Sequence, residues 1–263
     1  MSSAFTTLSI LTVVRNDRRG LAKTLQSVAD VRAGSRRVID HIVVDGDSSD
    51  GTQALIAAHA SAITRSISEP DRGIYDAMNK SARLAHPDSL LVWINAGDEL
   101  LPLDDLLDSM ADPTAEVIFA AIRLPSGIAI EPRIHAPCNE RNVFPTTVFR
   151  HQGFFIQAKA FARLGGYRLD VGSQADGLLM SLAARDLRWA TTPLPAATFQ
   201  LDGVSNTRHR AVLDSYFKVI RALGLSKGRV IWHQRAYLFK TILKVAIPAS
   251  WTRFIMQHRW GAK

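Results

Sequence analysis

The chain has 263 residues, 47% apolar and 21% charged, enough for one large domain with a full core and unlike a disordered chain. Cys138 is the only cysteine, which excludes an internal disulfide and a CxxC metal clip and fits a reducing compartment. The net charge of +8 is unevenly placed, because residues 1–214 hold 22 bases against 24 acids while residues 215–263 hold ten bases and no acid.

The N-terminus has no basic stretch leading into an apolar run, so no signal peptide is expected. No run of about 18 apolar residues predicts a spanning helix. Leu8–Val14, Ile39–Val44, Ile63–Ile67 and Leu90–Ile94 read as strands, and the first two are near-continuous runs of the kind buried on both faces. Between the first two, Leu21, Leu25, Val28 and Ala29 share one helical face. Between the third and fourth, Ile74, Ala77, Met78, Ser81, Ala82 and Ala85 form a packed stripe, which turns Asp76 to solvent. Strands alternating with helices predict an α/β fold, a mostly parallel sheet flanked by helices on both faces. Beyond residue 115, short strands are predicted near 116–122, 153–157, 188–192 and 197–201, with helices near 158–164 and 177–186. They continue the same sheet. Residues 209–263 read as mostly helical, with breaks at Gly224 and Pro248.

In such sheets ligands bind beyond the carboxyl ends of the strands. The first four strands run into Arg15-Asn16-Asp17, Asp45-Gly46-Asp47-Ser48-Ser49-Asp50-Gly51-Thr52, Glu69-Pro70-Asp71-Arg72-Gly73 and Asn95-Ala96-Gly97-Asp98-Glu99. Four acidic clusters at one edge repel unless a cation or donor groups join them. There is no G-x-x-x-x-G-K-[ST] loop and no G-x-G-x-x-G, which argues against P-loop hydrolysis and a dinucleotide cofactor. Carboxylates cannot hold a pyrophosphate directly, but they can hold Mg²⁺ or Mn²⁺, which then does.

The blocks Leu8–Asn16, Val43–Thr52 and Ser68–Lys80 resemble the inverting family 2 glycosyltransferases of GT-A fold. The third block is similar to the branch that builds colanic acid and other bacterial exopolysaccharides. The resemblance spans residues 8–100, and more loosely 145–205. It implies a GT-A domain over 1–208, with a nucleotide-binding half (1–100), an acceptor half (101–208) and a basic helical extension (209–263). It also implies a nucleotide-diphosphate sugar donor, a glycan or lipid-linked glycan acceptor, and a cytoplasmic enzyme, peripheral on the inner face of the plasma membrane.

Carried over by residue, the resemblance implies that Thr12, Val14, Asn16 and Asp45 cradle base and ribose. Asp71, Arg72 and Asn79 would lie at the nucleotide edge. Asp98 would ligate Mg²⁺ or Mn²⁺, although Gly97 stands where a second aspartate is frequent. Asp176 would be the catalytic base, with Ala175 in place of the usual glutamate. His151, Gln152 and Gly203-Val204-Ser205 would line the acceptor side. Blander readings stand beside these: Asp176 as a helix N-cap, Asp98 as an ordinary loop acid, Asp45 and Asp47 as turn formers, and Arg72 as a solvated loop charge.

A near-neutral body with a basic, aromatic tail points away from nucleic acid and toward an anionic surface. Residues 226–260 read either as a helix lying on anionic lipid or as one packed on the domain. Two other functions remain open. A sugar-1-phosphate nucleotidyltransferase would want a Gly-rich basic loop where Arg15-Asn16-Asp17 stands. A non-catalytic sugar-nucleotide-binding subunit of an assembly complex would suit Gly97 and Ala175.

Overall fold

The computed structural model describes residues 7–110, 112, 114–132, 151–199, 215, 218, 219 and 221–224. Residues 133–150 and 200–214 and the tail beyond 224, with Gly203-Val204-Ser205 and the expected helix over 226–260, lie outside them. Contacts divide the chain into one unit over Met1–Val219 and a second over Ile220–Lys263.

The first unit is built on one nine-stranded sheet. Its first half comprises β1 (Thr7–Val14), β2 (Val38–Asp45), β3 (Arg65–Ser68) and β4 (Leu90–Trp93), in the parallel order β3-β2-β1-β4. β1 and β4 are buried along almost their whole length because helices cover both faces, as their unbroken apolar runs require. The connecting helices are α1 (Arg18–Gly34), α2 (Thr52–Ala58) and α3 (Ile74–Leu84). Asp17 caps α1 by accepting from Gly20 N–H at 2.8 Å, which satisfies one of the orphan donors of its first turn.

The second half adds β5 (Glu99–Leu100), α4 (Asp104–Asp108), β6 (Val117–Arg123), β7 (Ala129–Ile130), β8 (Phe154–Gln157), α5 (Ala158–Arg163), α6 (Ala175–Asp186) and β9 (Trp189–Thr198). β8 joins β4 antiparallel, and the order continues β8-β6-β9-β5, with β7 paired to β6. The sheet is therefore parallel in its first half and mixed in its second. Trp93, Phe119, Phe154 and Phe155 are among its largest fully buried side chains, and burying a Phe contributes on the order of 1.5–3 kcal/mol.

Three expectations change. The third strand begins later than predicted, at Arg65. The strands expected at 188–192 and 197–201 are one strand, β9, carrying Pro193 and Pro195. Proline is tolerated there because the β6–β9 pairing shifts register in that stretch, so no regular ladder is interrupted. On α3 the buried face is turned: Asp76 is buried and Ile74 is half exposed. Asp76 accepts from Arg72 N–H at 3.1 Å and from the Arg72 guanidinium at 3.0 Å, and Lys80 stands 3.9 Å away on the next turn.

Candidate functional site

The carboxyl ends of β1, β2 and β3 lie level, with Val14 opposite Asp45 and Asp45 opposite Ser68. Backbone bonds carry this alignment into the loops: Gly46 N–H donates to Val14 O at 2.9 Å and Glu69 N–H to Asp45 O at 3.0 Å. The loops after β1 and β2 are stapled together. Asn16 adopts a left-handed conformation (φ 52°), its N–H donates to Ser48 Oγ at 2.7 Å, and its Oδ1 accepts from Ser49 N–H at 2.9 Å. Asp45 is fully buried; its Oδ2 accepts from Ser68 Oγ at 2.6 Å and Ser48 N–H at 3.1 Å. Asp71 closes over this floor, with Oδ1 accepting from Gly73 N–H at 2.7 Å. A Cβ at position 46 would come within 2.2 Å of Asp71 Oδ2, so only glycine permits that approach.

Thr12 and Val14 turn their side chains inward. Thr12 is fully buried, donates to Ile94 O at 2.8 Å and stands 3.0 Å from His41 Nε2. Because its one proton goes to Ile94, His41 Nε2–H must be the donor of that pair. Val14 packs with Leu21, Leu25 and Val43. Any contact these two make with a ligand is through backbone atoms. Arg72 stands at the rim, with its side chain 77% exposed.

The loop after β4 turns sharply. Asp98 N–H donates to Asn95 O at 3.0 Å, and Gly97 sits at φ 97°, a conformation strained for any residue with a Cβ. A second carboxylate at position 97 is thus disfavoured by the backbone itself. Thr24 of α1 holds this turn: its hydroxyl donates to Asp98 O at 2.6 Å and accepts from Gly97 N–H at 3.1 Å. Asp98 is buried, not on the surface, and its Oδ2 accepts from Gln152 Nε2 at 2.6 Å.

Gln152 and its neighbour His151 belong to a 3₁₀ turn, His151–Gly153, that leads into β8. His151 Nε2 faces Asn95 Nδ2 at 3.0 Å, and its Nδ1 lies 4.0 Å from Asp176 Oδ2. Asp176 is the second residue of α6; position 174, a glutamine, is the N-cap, so Asp176 does not cap the helix. Its Oδ1 accepts from Gly177 N–H at 2.8 Å and from the Tyr75 hydroxyl at 2.9 Å. Asn79 is spent on backbone: Nδ2 donates to Tyr167 O at 2.8 Å and Oδ1 accepts from Tyr167 N–H at 2.9 Å. It ties α3 to the loop that precedes α6.

Among the described residues, the buried side-chain atoms without a hydrogen-bond partner are Asp45 Oδ1, Asn95 Oδ1, Gln152 Oε1 and the Tyr167 hydroxyl. Leaving such an atom unpaired costs about 1–3 kcal/mol. Three of the four belong to the strand-end loops and the 3₁₀ turn, where a ligand could pair them. The set also bears on a divalent metal. No cluster of three carboxylate, histidine or thiol groups occurs among the described residues. One carboxylate, Asp98, beside an unpaired amide oxygen of Gln152 still fits Mg²⁺ or Mn²⁺, hard cations often held by one or two carboxylates with water and substrate phosphates.

The family description Glycosyl transferase family 2 matches residues 9–158. The chain belongs to that family. An uncharacterized glycosyltransferase of Mycobacterium tuberculosis is 30% identical over 228 residues, covering 83% of each chain. Staphylococcus aureus TarS, in complex with UDP-GlcNAc, superposes with a TM-score of 0.63 at 13% identity, over 82% of this chain and 65% of the TarS fragment. A mannosyltransferase of Pyrobaculum calidifontis, in complex with GDP-Man and Mn²⁺, superposes with a TM-score of 0.60 at 19% identity, over 97% of this chain and 81% of the other. The fold is GT-A, and the chain is a family 2 glycosyltransferase.

The sequence reading missed Thr24, Tyr75 and Asn95. Thr24 carried a signal, a polar residue inside the apolar stripe of α1, and it is fully buried there. Asn95 lies in the polar loop after the fourth strand and Tyr75 in the Ser68–Lys80 block, but their side-chain partners His151 and Asp176 lie far along the chain.

Proposed function

We propose that this glycosyltransferase works with inversion, by direct displacement at the anomeric carbon. The acceptor oxygen forms its bond to that carbon as the bond to the donor phosphate breaks, the electron pair leaves with the nucleoside diphosphate, and the acceptor proton passes to Asp176. The observation that carries this reading is the bridge between two carboxylates: Asp98 bonds Gln152 at 2.6 Å, while Asp176 lies 4.0 Å from His151, the adjacent residue. A donor whose pyrophosphate end meets Asp98 would thereby bring its sugar toward Asp176.

In this reading Asp45 Oδ1, buried and unpaired, accepts an N–H of the nucleobase, and the stapled loops at Asn16 and Asp71 enclose the ribose. Arg72 and Asn79 complete that edge, Asn79 by fixing α3 and not by direct contact. Asp98 would hold Mg²⁺ or Mn²⁺, which when bound neutralises charge developing on the departing diphosphate. His151 and Gln152 line the acceptor side. The acceptor is a glycan or lipid-linked glycan of a bacterial surface polysaccharide, and residues 226–260 bring the enzyme to anionic lipid, as the ten bases without an acid beyond residue 214 favour.

Asp176→Asn tests the reading. Size and hydrogen bonding are kept while the proton acceptor is lost, so transfer should fall by about 10²–10⁴-fold. Donor affinity with Mn²⁺, measured by calorimetry on a nucleotide sugar chosen by thermal shift, should be unchanged. Transfer within a few-fold of wild type would move the base elsewhere. Donor binding without transfer in the wild type would leave a sugar-nucleotide-binding subunit.

A further inference from the structure

We infer that Tyr75 is a positioning residue for the base: its phenol determines which oxygen of Asp176 is turned to the acceptor. The inference rests on the reading of Asp176 as base. Tyr75 is the second residue of α3, and Asn79, one turn on, is bound to the Tyr167 backbone at both ends of its amide. The Tyr75 ring in turn packs against the Tyr167 ring with centroids 5.3 Å apart. The phenol is thus aimed by two anchors that do not involve Asp176.

The hydroxyl lies 2.9 Å from Asp176 Oδ1 and 3.2 Å from Ser173 O, and its single proton favours the nearer, charged acceptor. Burial, and then the charge of Asp176, hold the phenol well above its usual pKa, so it stays protonated and remains the donor. With Gly177 N–H also on Oδ1, that oxygen has two donors. Oδ2 has no hydrogen bond among the described residues and makes only the 4.0 Å approach to His151. Among the described residues, the titratable groups that face Asp176 are Tyr75 from α3, His151 from the turn before β8, and Tyr167, which interacts with it through space. The donor-side helix therefore reaches across the cleft to clamp one carboxylate oxygen and leave the other to react.

Without the hydroxyl the carboxylate loses its orientation, and a misplacement of about 1 Å can cost on the order of 10²-fold.

The test compares Tyr75→Phe, Asp176→Asn and the double variant in the full chain. The readout is release of nucleoside diphosphate from a UDP- or GDP-hexose selected by thermal shift with Mn²⁺. Tyr75→Phe keeps the ring packing, so melting temperature and donor KM should hold, while kcat falls by roughly 10-fold or more. In the Asp176→Asn background Tyr75→Phe should cost nothing further, since it acts only through that carboxylate. A Tyr75→Phe kcat within two-fold of wild type, or an equal further loss in the Asp176→Asn background, overturns the inference while Asp176→Asn stays inactive. An active Asp176→Asn instead overturns the base assignment on which it rests.

Discussion

His41 makes the floor of the site sensitive to acid. It is 1% exposed, and burial, with a smaller contribution from Arg32, lowers its pKa from 6.5 to about 4. The folded protein thus holds His41 neutral where the unfolded chain would protonate it. Between those two values the unfolded state binds more protons, so stability is full above about pH 6.5 and is lost as pH falls toward 4. At about 1.36 kcal/mol per pKa unit, the full loss is about 3 kcal/mol, and about 2 kcal/mol is gone by pH 5. The loss falls on function as well, because His41 bonds Thr12, and Thr12 bonds Ile94 at the end of β4, beside the Asn95–Asp98 turn. Urea denaturation from pH 7.5 to 4.5 on wild type and His41→Gln is the measurement. Gln supplies a neutral N–H without a titrating group, so the difference between the two proteins should shift by about 2 kcal/mol in favour of the variant between pH 7.5 and 5. A difference that stays constant with pH would refute a buried neutral His41.

Asp98→Asn should weaken Mn²⁺-dependent donor binding by roughly 10-fold or more, because a neutral amide replaces a carboxylate ligand of a hard cation. Calorimetry with and without Mn²⁺ checks it, and equal affinity in both proteins removes Asp98 from the site. Removing residues 226–263 should release the protein from anionic vesicles, and binding of the full chain should fall with salt. Sedimentation at low and high salt reads this directly; a full chain that ignores anionic vesicles leaves the packed-helix reading.

The sheet was legible where its code is local. β1 and β4 are near-continuous apolar runs of the kind buried on both faces, β2 is apolar through its second half, and the polar segments after them fall in loops at one edge. β9 is continuous where two short strands are expected, and the shifted pairing with β6 is what makes its two prolines tolerable. Asp76 was misread for a similar reason. A helical stripe gives apolar Ile74 the inner position, whereas ion pairing with Arg72 lets a carboxylate occupy it; the pairing, first by hydrogen bond, also holds the Asp76 pKa below its usual value.

Of the candidate site, the carboxylates Asp45, Asp98 and Asp176 stand out in the sequence by their place relative to strand ends and to a recognisable motif, while the side chains that hold them do not. Their partners are remote: Gln152 is 54 residues from Asp98, and Tyr75 is 101 residues from Asp176. No periodicity or spacing encodes such pairs, since each depends on the antiparallel entry of β8 beside β4 and on the Asn79 tie that brings α3 to the loop before α6. This separation also explains a division of labour. The parallel half, coded locally, supplies the buried floor with an unpaired oxygen on Asp45, while the mixed half supplies Gln152, His151 and Asp176 across it. If the proposed roles hold, substitutions in the second half should alter which hydroxyl is glycosylated without disturbing the four parallel strands.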